Sequence, residues 1–325
     1  MHTYAALDLG TNNCRLLIAR AAADGFRVID AFSRIVRLGE GLSRNGVLSQ
    51  AAMVRTLAAL RICAGKLERR GVTRFRAVAT EACRKAQNCA AFIERVAGET
   101  GIRLEIITTA EEARLALAGC APLLDYRNRF ALVFDIGGGS TELLWLGLDD
   151  GQSPRLLGWQ SIPIGVVTLA ERHGGMEIAA GVFERMVAEV AAELAPFEAA
   201  HELKRCVAEH PVQLLGTSGT VTTVAGVHLE LPRYDRARVD GIWLAAEHVT
   251  GITNRLAAMS YAERAQHPCI GVDRADLVVA GCAILAAIQR ALPLDRLRVA
   301  DRGVREGVLF DLMREADADL AVGTG

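Results

Sequence analysis

Residues 133–143 read VFDIGGGSTEL, and residues 6–16 read ALDLGTNNCRL. Each stretch passes from apolar residues through an Asp, one more apolar residue and a Gly to small polar residues, and then becomes apolar again. One pattern that occurs twice in 325 residues indicates an internal duplication, in which each copy begins a structural unit of its own.

The same succession of elements is predicted after each copy. Further strand-like runs in residues 26–42 and 155–169 complete a three-strand meander in each half. Long helices follow at residues 49–70 and 177–203, where apolar residues recur at helical spacing. Two strand and helix pairs then close each half. This order predicts an α/β protein of two duplicated domains, each with a mixed sheet and crossover helices.

The boundary between the domains is predicted at residues 122–129, where Asp, Tyr, Arg and Asn interrupt the apolar pattern. We expect an N-terminal domain at residues 1–124, completed by a C-terminal helix at 303–325, and a C-terminal domain at 125–302. Ligands of such sheets bind at the carboxyl ends of the strands. Two facing domains would therefore place their loops around one cleft.

The bulk composition limits the kinds of partner. With 37 basic and 38 acidic residues the formal net charge is −1, so a polyanion must be held by local groups and nucleic acid is not an expected partner. The eight cysteines include no C-x-x-C pair and suggest neither zinc nor disulfides. The first strand-like run begins at Tyr4, without room for a secretory signal, and the longest apolar run has 12 residues. A cytoplasmic protein that does not enter a membrane is expected.

Three consecutive glycines lie between two strand-like runs in the second copy. Because they lack side chains, a phosphate group can approach the backbone N–H groups, and neighbouring hydroxyls can add donors. The residues predicted to bind phosphate in this way are Gly137, Gly138, Gly139, Ser140 and Thr141. Asp135 and Glu142 carry hard oxygen atoms suited to Mg²⁺ or Mn²⁺. A glycine-rich hairpin without a ligand is the alternative.

The corresponding loop of the first copy carries similar groups. Asp8 would lie opposite Asp135 across the cleft, an arrangement expected for a metal ion held between phosphate oxygens, although a turn or capping role is the alternative. Polar side chains after Asp8 are predicted to contact phosphate: Thr11, Asn12, Asn13 and Arg15. A surface position at a strand edge is the alternative for Arg15.

Six motifs in order resemble the exopolyphosphatase and guanosine pentaphosphate phosphohydrolase family, within the sugar kinase, Hsp70 and actin superfamily. They are DLGTNNCRLL (8–17), VATEACRKAQN (78–88), AEEARLALAGC (110–120), DIGGGSTEL (135–143), GTSGT (216–220) and DRGVREG (301–307). The resemblance extends from about residue 4 to about residue 312 and is to the short, two-domain branch of the family. It implies two ribonuclease H-like domains of the actin-like ATPase superfamily.

The resemblance also implies roles for individual residues. The family's general base, which deprotonates the attacking water, corresponds to Glu112, with Glu111 beside it as the alternative. Arg84 corresponds to an Arg that could hold a phosphate. The family loop that meets phosphates or a nucleoside in nucleotide-binding relatives corresponds to Ser218, Gly219 and Thr220. Thr109 replaces a Gly of the family pattern, and on spacing alone the two glutamates would be simple N-terminal helix charges.

Release of orthophosphate from the ends of inorganic polyphosphate, with Mg²⁺ or Mn²⁺, is therefore the expected activity. Guanosine pentaphosphate is the alternative substrate, but the chain has only 9 Phe, 4 Tyr and 3 Trp, and none lies in or next to GTSGT as a platform for guanine. An ATP-dependent kinase of the same superfamily would be expected to use an Asp as base, so the Glu pair favours a hydrolase. A non-catalytic actin-like regulator is a further alternative, and the assembly stays open between monomer and homodimer.

Overall fold

The structure is a computed structural model that describes residues 2–23, 25–149, 153–179 and 181–322. The chain divides into two compact units, of which one comprises Met1–Gly119 with Gly303–Gly325 and the other Cys120–Arg302. Residues 120–124 lie in the second unit, where Gln213 Nε2 donates to the Leu123 carbonyl oxygen at 3.0 Å. Residues 323–325 of the predicted terminal helix lie outside the described residues.

The elements of each half follow the predicted order. Up to residue 120 they are β1 (Tyr4–Leu9), β2 (Asn13–Ala22), β3 (Gly25–Ile35), α1 (Leu42–Asn45), α2 (Gln50–Arg69), β4 (Arg74–Ala79), α3 (Glu81–Lys85), α4 (Cys89–Thr100), β5 (Leu104–Ile106) and α5 (Thr109–Cys120). The rest are β6 (Phe130–Ile136), β7 (Thr141–Gly147), β8 (Arg155–Ile162), α6 (Val166–His173), α7 (Val182–His201), α8 (Leu203–Glu209), β9 (Val212–Thr217), α9 (Ser218–His228), α10 (Arg236–Val239), β10 (Trp243–Ala245), α11 (Ala246–Ala258), α12 (Tyr261–Gln266), α13 (Val278–Ala291), β11 (Arg296–Ala300) and α14 (Val304–Val322).

The two sheets have the same topology. The first has the order β3-β2-β1-β4-β5, and the second has β8-β7-β6-β9-β11 with β10 added beyond β11. In both, the first three strands form an antiparallel meander and the later crossover strands run parallel to the first one. The prediction of two duplicated α/β domains, each with a mixed sheet, is therefore confirmed. Strand β10, which pairs antiparallel with β11, was not predicted.

The first sheet is buried on both faces. Along β1, Ala5, Leu7 and Leu9 belong to one apolar cluster with residues of α2 and α4, whereas Tyr4 and Ala6 belong to another with residues of α5 and α14. This alternation is the period of two that places successive strand side chains on opposite faces. In the second unit one large cluster joins the sheet to the buried helices α9 and α13.

Glycines set the position of α5, the helix that carries the Glu pair. A Cβ on Gly119 would lie 2.1 Å from the Gly303 carbonyl oxygen, and a Cβ on Gly307 would lie 2.1 Å from that of Leu115. Since such approaches leave no room for a side chain, α5 and α14 pack together through backbone atoms. This close packing explains why glycine is needed at Gly119 and at Gly307 of the DRGVREG motif.

One helix begins later than its periodicity predicts. The helix expected from residue 177 begins at Val182, because the preceding backbone is held by Arg264, a fully buried arginine. Its guanidinium donates to the carbonyl oxygens of Gly175 and Met176. The start predicted for the other long helix is accurate. Helix α2 begins at Gln50, and Ser49 Oγ accepts from the Ala52 N–H at 3.2 Å and caps the helix. Within the described ranges, no helix combines the length and apolar character needed to cross a bilayer.

Candidate functional site

Three loops meet at one edge of the first sheet. Strands β1, β4 and β5 are parallel, so their carboxyl ends lie side by side. The Thr80 N–H donates to the Leu9 carbonyl oxygen at 3.1 Å, and the Ile107 N–H donates to that of Ala79 at 3.1 Å. The loop after Asp8, the Thr80 loop and the start of α5 are therefore neighbours.

The central contact at this edge joins Arg84 to Glu112. Arg84 Nη2 lies 2.8 Å from Glu112 Oε2, and the two side chains are 15% and 14% exposed. Arg84 Nη1 donates to the Ile107 carbonyl oxygen at 2.9 Å, which fixes the guanidinium against the loop before α5. Although burial opposes it, the charges of Glu112 and Glu81 raise the pKa of Arg84 above its ordinary value. A fully charged guanidinium therefore stands beside the predicted base.

Glu111 has a different set of partners. Its carboxylate accepts from Arg114 Nε at 2.8 Å and from Arg76 Nη1 at 3.2 Å, and Arg114 also pairs with Asp311 of α14. Hydrogen bonds from Arg114 and Arg76 hold the pKa of Glu111 below its usual value despite some burial. Glu111 thus belongs to an ion-pair network that ties α5 to β4 and α14, which favours Glu112 as the base.

Asp8 lies on β1 directly opposite Arg15 of β2. Burial raises the pKa of Asp8, while the charges of Arg15 and Arg305 lower it and that of Glu306 raises it. Burial thus outweighs the arginines, which is the state expected of a carboxylate whose charge a bound cation would balance. Arg15 is half-buried and lies close enough to Asp8 for their charges to interact, and its contact with phosphate stays a prediction.

Backbone hydrogen bonds hold the loop after β1 in place, and two of its side-chain oxygens lack a hydrogen-bond partner within the described part of the chain. The carbonyl oxygen of Asn12 accepts from the N–H groups of Val36 and Arg37, and that of Thr11 accepts from Gly39. Thr11 and Asn12 are buried. The side-chain oxygens of Asn12 and Asn13 are also buried, and neither has a hydrogen-bond partner among the described residues.

Buried polar atoms in folded proteins nearly always have a partner. An asparagine amide can also be turned by half a rotation, which places its NH₂ donors where its oxygen was. The Asn12 and Asn13 side chains can therefore accept from a hydrated cation or donate to a phosphate oxygen, and the phosphate contact predicted for them stays a prediction.

The glycine loop between β6 and β7 is anchored to α6. Gly137 N–H donates to the Ser140 carbonyl oxygen at 2.9 Å, and the carbonyl oxygens of Gly137 and Gly138 accept from the first N–H groups of α6 at 3.0 and 2.8 Å. Gly165, which precedes α6, lies so close that a Cβ there would be 2.4 Å from the Gly138 carbonyl carbon. The carbonyl groups of Gly137 and Gly138 and the N–H group of Gly137 thus already have hydrogen-bond partners within the protein.

The side chains that follow the glycines mainly support the loop. Ser140 Oγ and Ser161 Oγ both donate to Glu142 Oε1, at 2.6 and 2.8 Å, and Thr141 Oγ1 donates to the Ile164 carbonyl oxygen at 2.7 Å. All three predicted residues are buried. Phosphate contacts by Ser140 and Thr141, and metal ligation by Glu142, stay predictions, and their observed contacts hold the hairpin in shape.

Asp135 is the strand-end carboxylate of the second unit. It lies opposite Glu142 on β7 and beside Thr217 on β9. Across residues 2–23, 25–149, 153–179 and 181–322, no group of three or more His, Cys, Asp and Glu side chains is arranged to hold a metal ion. Mg²⁺ usually binds proteins through one or two carboxylates together with substrate phosphates and water. A strand-end carboxylate such as Asp135 is compatible with that mode of binding, and metal ligation by Asp135 and by Asp8 stays a prediction for each unit separately.

The GTSGT loop contains a strained residue. Ser218 has φ of 80°, in the left-handed region that residues other than glycine seldom adopt, and its Oγ donates to the Ile136 carbonyl oxygen at 2.5 Å. Thr217 Oγ1 donates to the Arg302 carbonyl oxygen. These contacts hold the loop against the ends of β6 and β11. Strained residues persist where surrounding contacts fix them, and such residues are common at ligand sites. Thr220 packs against Gly281 of α13. Gly219 lies in the chain between Ser218 and Thr220, and phosphate contacts by these three residues stay predictions.

Two contacts of the loops were not predicted. Glu81 pairs with Arg84 and Lys85, and Asp240 Oδ2 accepts from Arg302 Nε at 2.7 Å. The first pairing had a local signal, because Glu81 lies three and four residues before the two cations, the spacing at which helix side chains meet. The second had none, since Asp240 and Arg302 are distant in sequence.

Comparisons with known proteins agree with this arrangement. The model of the Ppx/GppA phosphatase family matches residues 17–316. A crystal structure of an exopolyphosphatase from Cytophaga hutchinsonii has 26% sequence identity and a TM-score of 0.86, with 97% of this chain and 98% of that chain covered. An exopolyphosphatase-like protein has 29% identity and a TM-score of 0.85 over 97% and 99%. A Ppx/GppA family member from Aquifex aeolicus has 28% identity and a TM-score of 0.77 over 97% and 98%.

The resemblance drawn from six motifs is thereby confirmed. Both sheets, the loops at their carboxyl ends and the ion pair between Arg84 and Glu112 belong to a chain that the family model spans almost completely. The protein is a phosphoanhydride hydrolase and belongs to the Ppx/GppA phosphatase family.

Proposed function

We propose that the protein is an exopolyphosphatase that releases orthophosphate from the ends of inorganic polyphosphate, with Glu112 as general base and Mg²⁺ or Mn²⁺ as the metal. The observation that carries the proposal is the half-buried pair of Arg84 and Glu112 at the carboxyl ends of β1, β4 and β5. It combines a cation that can hold a phosphate with a carboxylate that can accept a proton from water.

The chain's own residues would act in the following way. Arg84 holds phosphate oxygens, and Glu112 orients a water molecule and accepts its proton as the oxygen attacks the terminal phosphorus. The bond to the bridging oxygen breaks, and the shortened chain leaves with that oxygen. Mg²⁺ or Mn²⁺ bound with the substrate at a strand-end carboxylate, Asp8 of the first unit or Asp135 of the second, would offset negative charge on the phosphate oxygens. Positioning and charge neutralisation are the main needs of phosphoryl transfer.

Guanosine pentaphosphate is the second candidate substrate, and one observation favours it. Tyr234 is 37% exposed, and its hydroxyl donates to Asp301 Oδ2 at 2.5 Å beside the DRGVREG motif. The sequence shows no aromatic residue next to GTSGT, but the fold places this ring near α9, where a Cβ on Gly226 would lie 4.0 Å from it. A base could stack on such a ring.

The test compares the two substrates at equal concentration with Mg²⁺, following phosphate release and the products. We expect the higher kcat/KM for polyphosphate and loss of activity in excess EDTA. A kcat/KM at least tenfold higher for the nucleotide, lost in Tyr234→Ala but not in Tyr261→Ala, would replace polyphosphate by guanosine pentaphosphate. Release of phosphate from neither substrate would refute the proposal. ATP consumption that depends on an added acceptor would instead indicate a kinase.

A further inference from the structure

Glu81 is a buried acid whose role neither the motifs nor the mechanism explains. It is the first residue of α3, directly after the loop residue Thr80, and only 9% of its surface is exposed. A carboxylate is costly to bury unless cations or hydrogen-bond donors surround it. Its place at the edge where Arg84 and Glu112 meet therefore indicates a specific partner.

That partner is the guanidinium of Arg84. Glu81 Oε2 accepts from Arg84 Nε at 3.2 Å and from Arg84 Nη2 at 3.0 Å. The other carboxylate oxygen, Oε1, lies 2.6 Å from Lys85 Nζ. Glu81 thus holds the guanidinium along its Nε edge, and Lys85 balances part of its charge.

The three nitrogens of the guanidinium have different partners. The Nε edge is held by Glu81 and Nη1 is held by the Ile107 carbonyl oxygen, whereas Nη2 is shared between Glu81 and Glu112. If a phosphate oxygen takes over the Nη2 contact, the ion pair between Arg84 and Glu112 is broken, and Glu112 Oε2 becomes available to a water molecule. The Nε and Nη1 contacts can persist through that exchange.

We propose that Glu81 is a positioning residue that holds Arg84 so that its Nη2 can pass from Glu112 to a substrate phosphate. This role rests on the function proposed above. Without Glu81, the guanidinium keeps only one carboxylate, Glu112, and pairs with it throughout the cycle. The base is then blocked while other phosphate contacts remain, so the loss falls on kcat rather than on KM.

The kinetic test uses three variants at neighbouring positions. Glu81→Ala is expected to lower kcat at least tenfold with KM for polyphosphate within threefold of the parent. Glu81→Gln keeps an oxygen acceptor at the same distance and is expected to recover most of that loss. Lys85→Met is the matched control, because the Lys85 side chain is 51% exposed and contacts Glu81 but not Arg84, and it should stay within twofold. A kcat of Glu81→Ala within threefold of the parent would overturn the proposal.

A second measurement does not depend on turnover. The ¹H–¹⁵N signal of Arg84 Nε–H, assigned by its disappearance in Arg84→Lys, should be protected from exchange in the parent and in Glu81→Gln but not in Glu81→Ala. An equally protected signal in Glu81→Ala would show that Glu81 does not hold the guanidinium. If the parent released no phosphate from any substrate, the proposed function would fail, and this signal would still decide the contact between Glu81 and Arg84.

Discussion

Two adjacent glutamates differ in their surroundings. Glu111 accepts hydrogen bonds from Arg76 and Arg114, whereas Glu112 lies beside Arg84, the predicted phosphate ligand. We expect Glu112→Gln to lower kcat by about two to four orders of magnitude, the usual contribution of a general base, with little change in substrate affinity. Glu111→Gln is the matched control, which should lower Tm but leave kcat within threefold. Phosphate release and thermal unfolding of both variants decide the matter, and the reverse pattern would move the base to Glu111.

Asp135 lies near the carboxyl end of β6, opposite Glu142 of β7. Asp135→Asn should raise the Mg²⁺ concentration needed for half the maximal rate, because a neutral amide is a poorer ligand for a hard cation. Asp125→Asn is a control in the same unit, since Asp125 pairs with Arg127 and precedes β6 rather than following it. The measurement is a Mg²⁺ titration of phosphate release. An unchanged titration midpoint for Asp135→Asn would remove this residue from the metal site.

At the scale of elements, the glycine loop depends on its contact with α6. Gly165→Ala would place a Cβ 2.4 Å from the Gly138 carbonyl carbon, so the loop or the helix must move. We expect kcat/KM to fall at least tenfold because the loop amides that are predicted to bind phosphate are displaced. Gly251→Ala in α11 is the control, because a Cβ there meets nothing within 4 Å, and alanine should stabilise that helix by up to about 1 kcal/mol. If Gly165→Ala kept the parent's kcat/KM, the amides would not be the phosphate ligands.

At the scale of the whole molecule, the net charge of −1 provides no strong field, so acid sensitivity arises from individual ion pairs. A hydrogen bond from Lys66, with another from Arg70, lowers the pKa of Asp30 to about 2 although burial opposes the shift. A lowered pKa stabilises the fold above the ordinary value near 3.8, and this contribution is lost as the pH falls through about 2. Asp30→Asn should therefore reduce stability at pH 7 by about 1 kcal/mol and hardly at all near pH 2.

Thermal unfolding followed by circular dichroism at several pH values tests this expectation. Asp149→Asn is the control, because the Asp149 side chain is 60% exposed and lies 4.0 Å from its partner Arg155. The difference in Tm between Asp30→Asn and the parent should shrink between pH 5 and pH 2. A difference that stays constant over this range would mean that the charge of Asp30 does not stabilise the fold.

The sequence by itself determined the duplication, the strand-end loops and the glycines, because these follow from local rules. Alternating apolar residues define strands, small residues permit close backbone approach, and parallel strands bring their carboxyl ends together. Only the tertiary structure decided which partners each side chain has. Glu111 differs from Glu112 because it binds Arg76 and Arg114, and Arg114 in turn pairs with Asp311. Thr141 Oγ1 donates to the carbonyl oxygen of Ile164, and the partners in these contacts are mostly far apart in the chain. Such contacts arise from packing between elements, which no local spacing encodes.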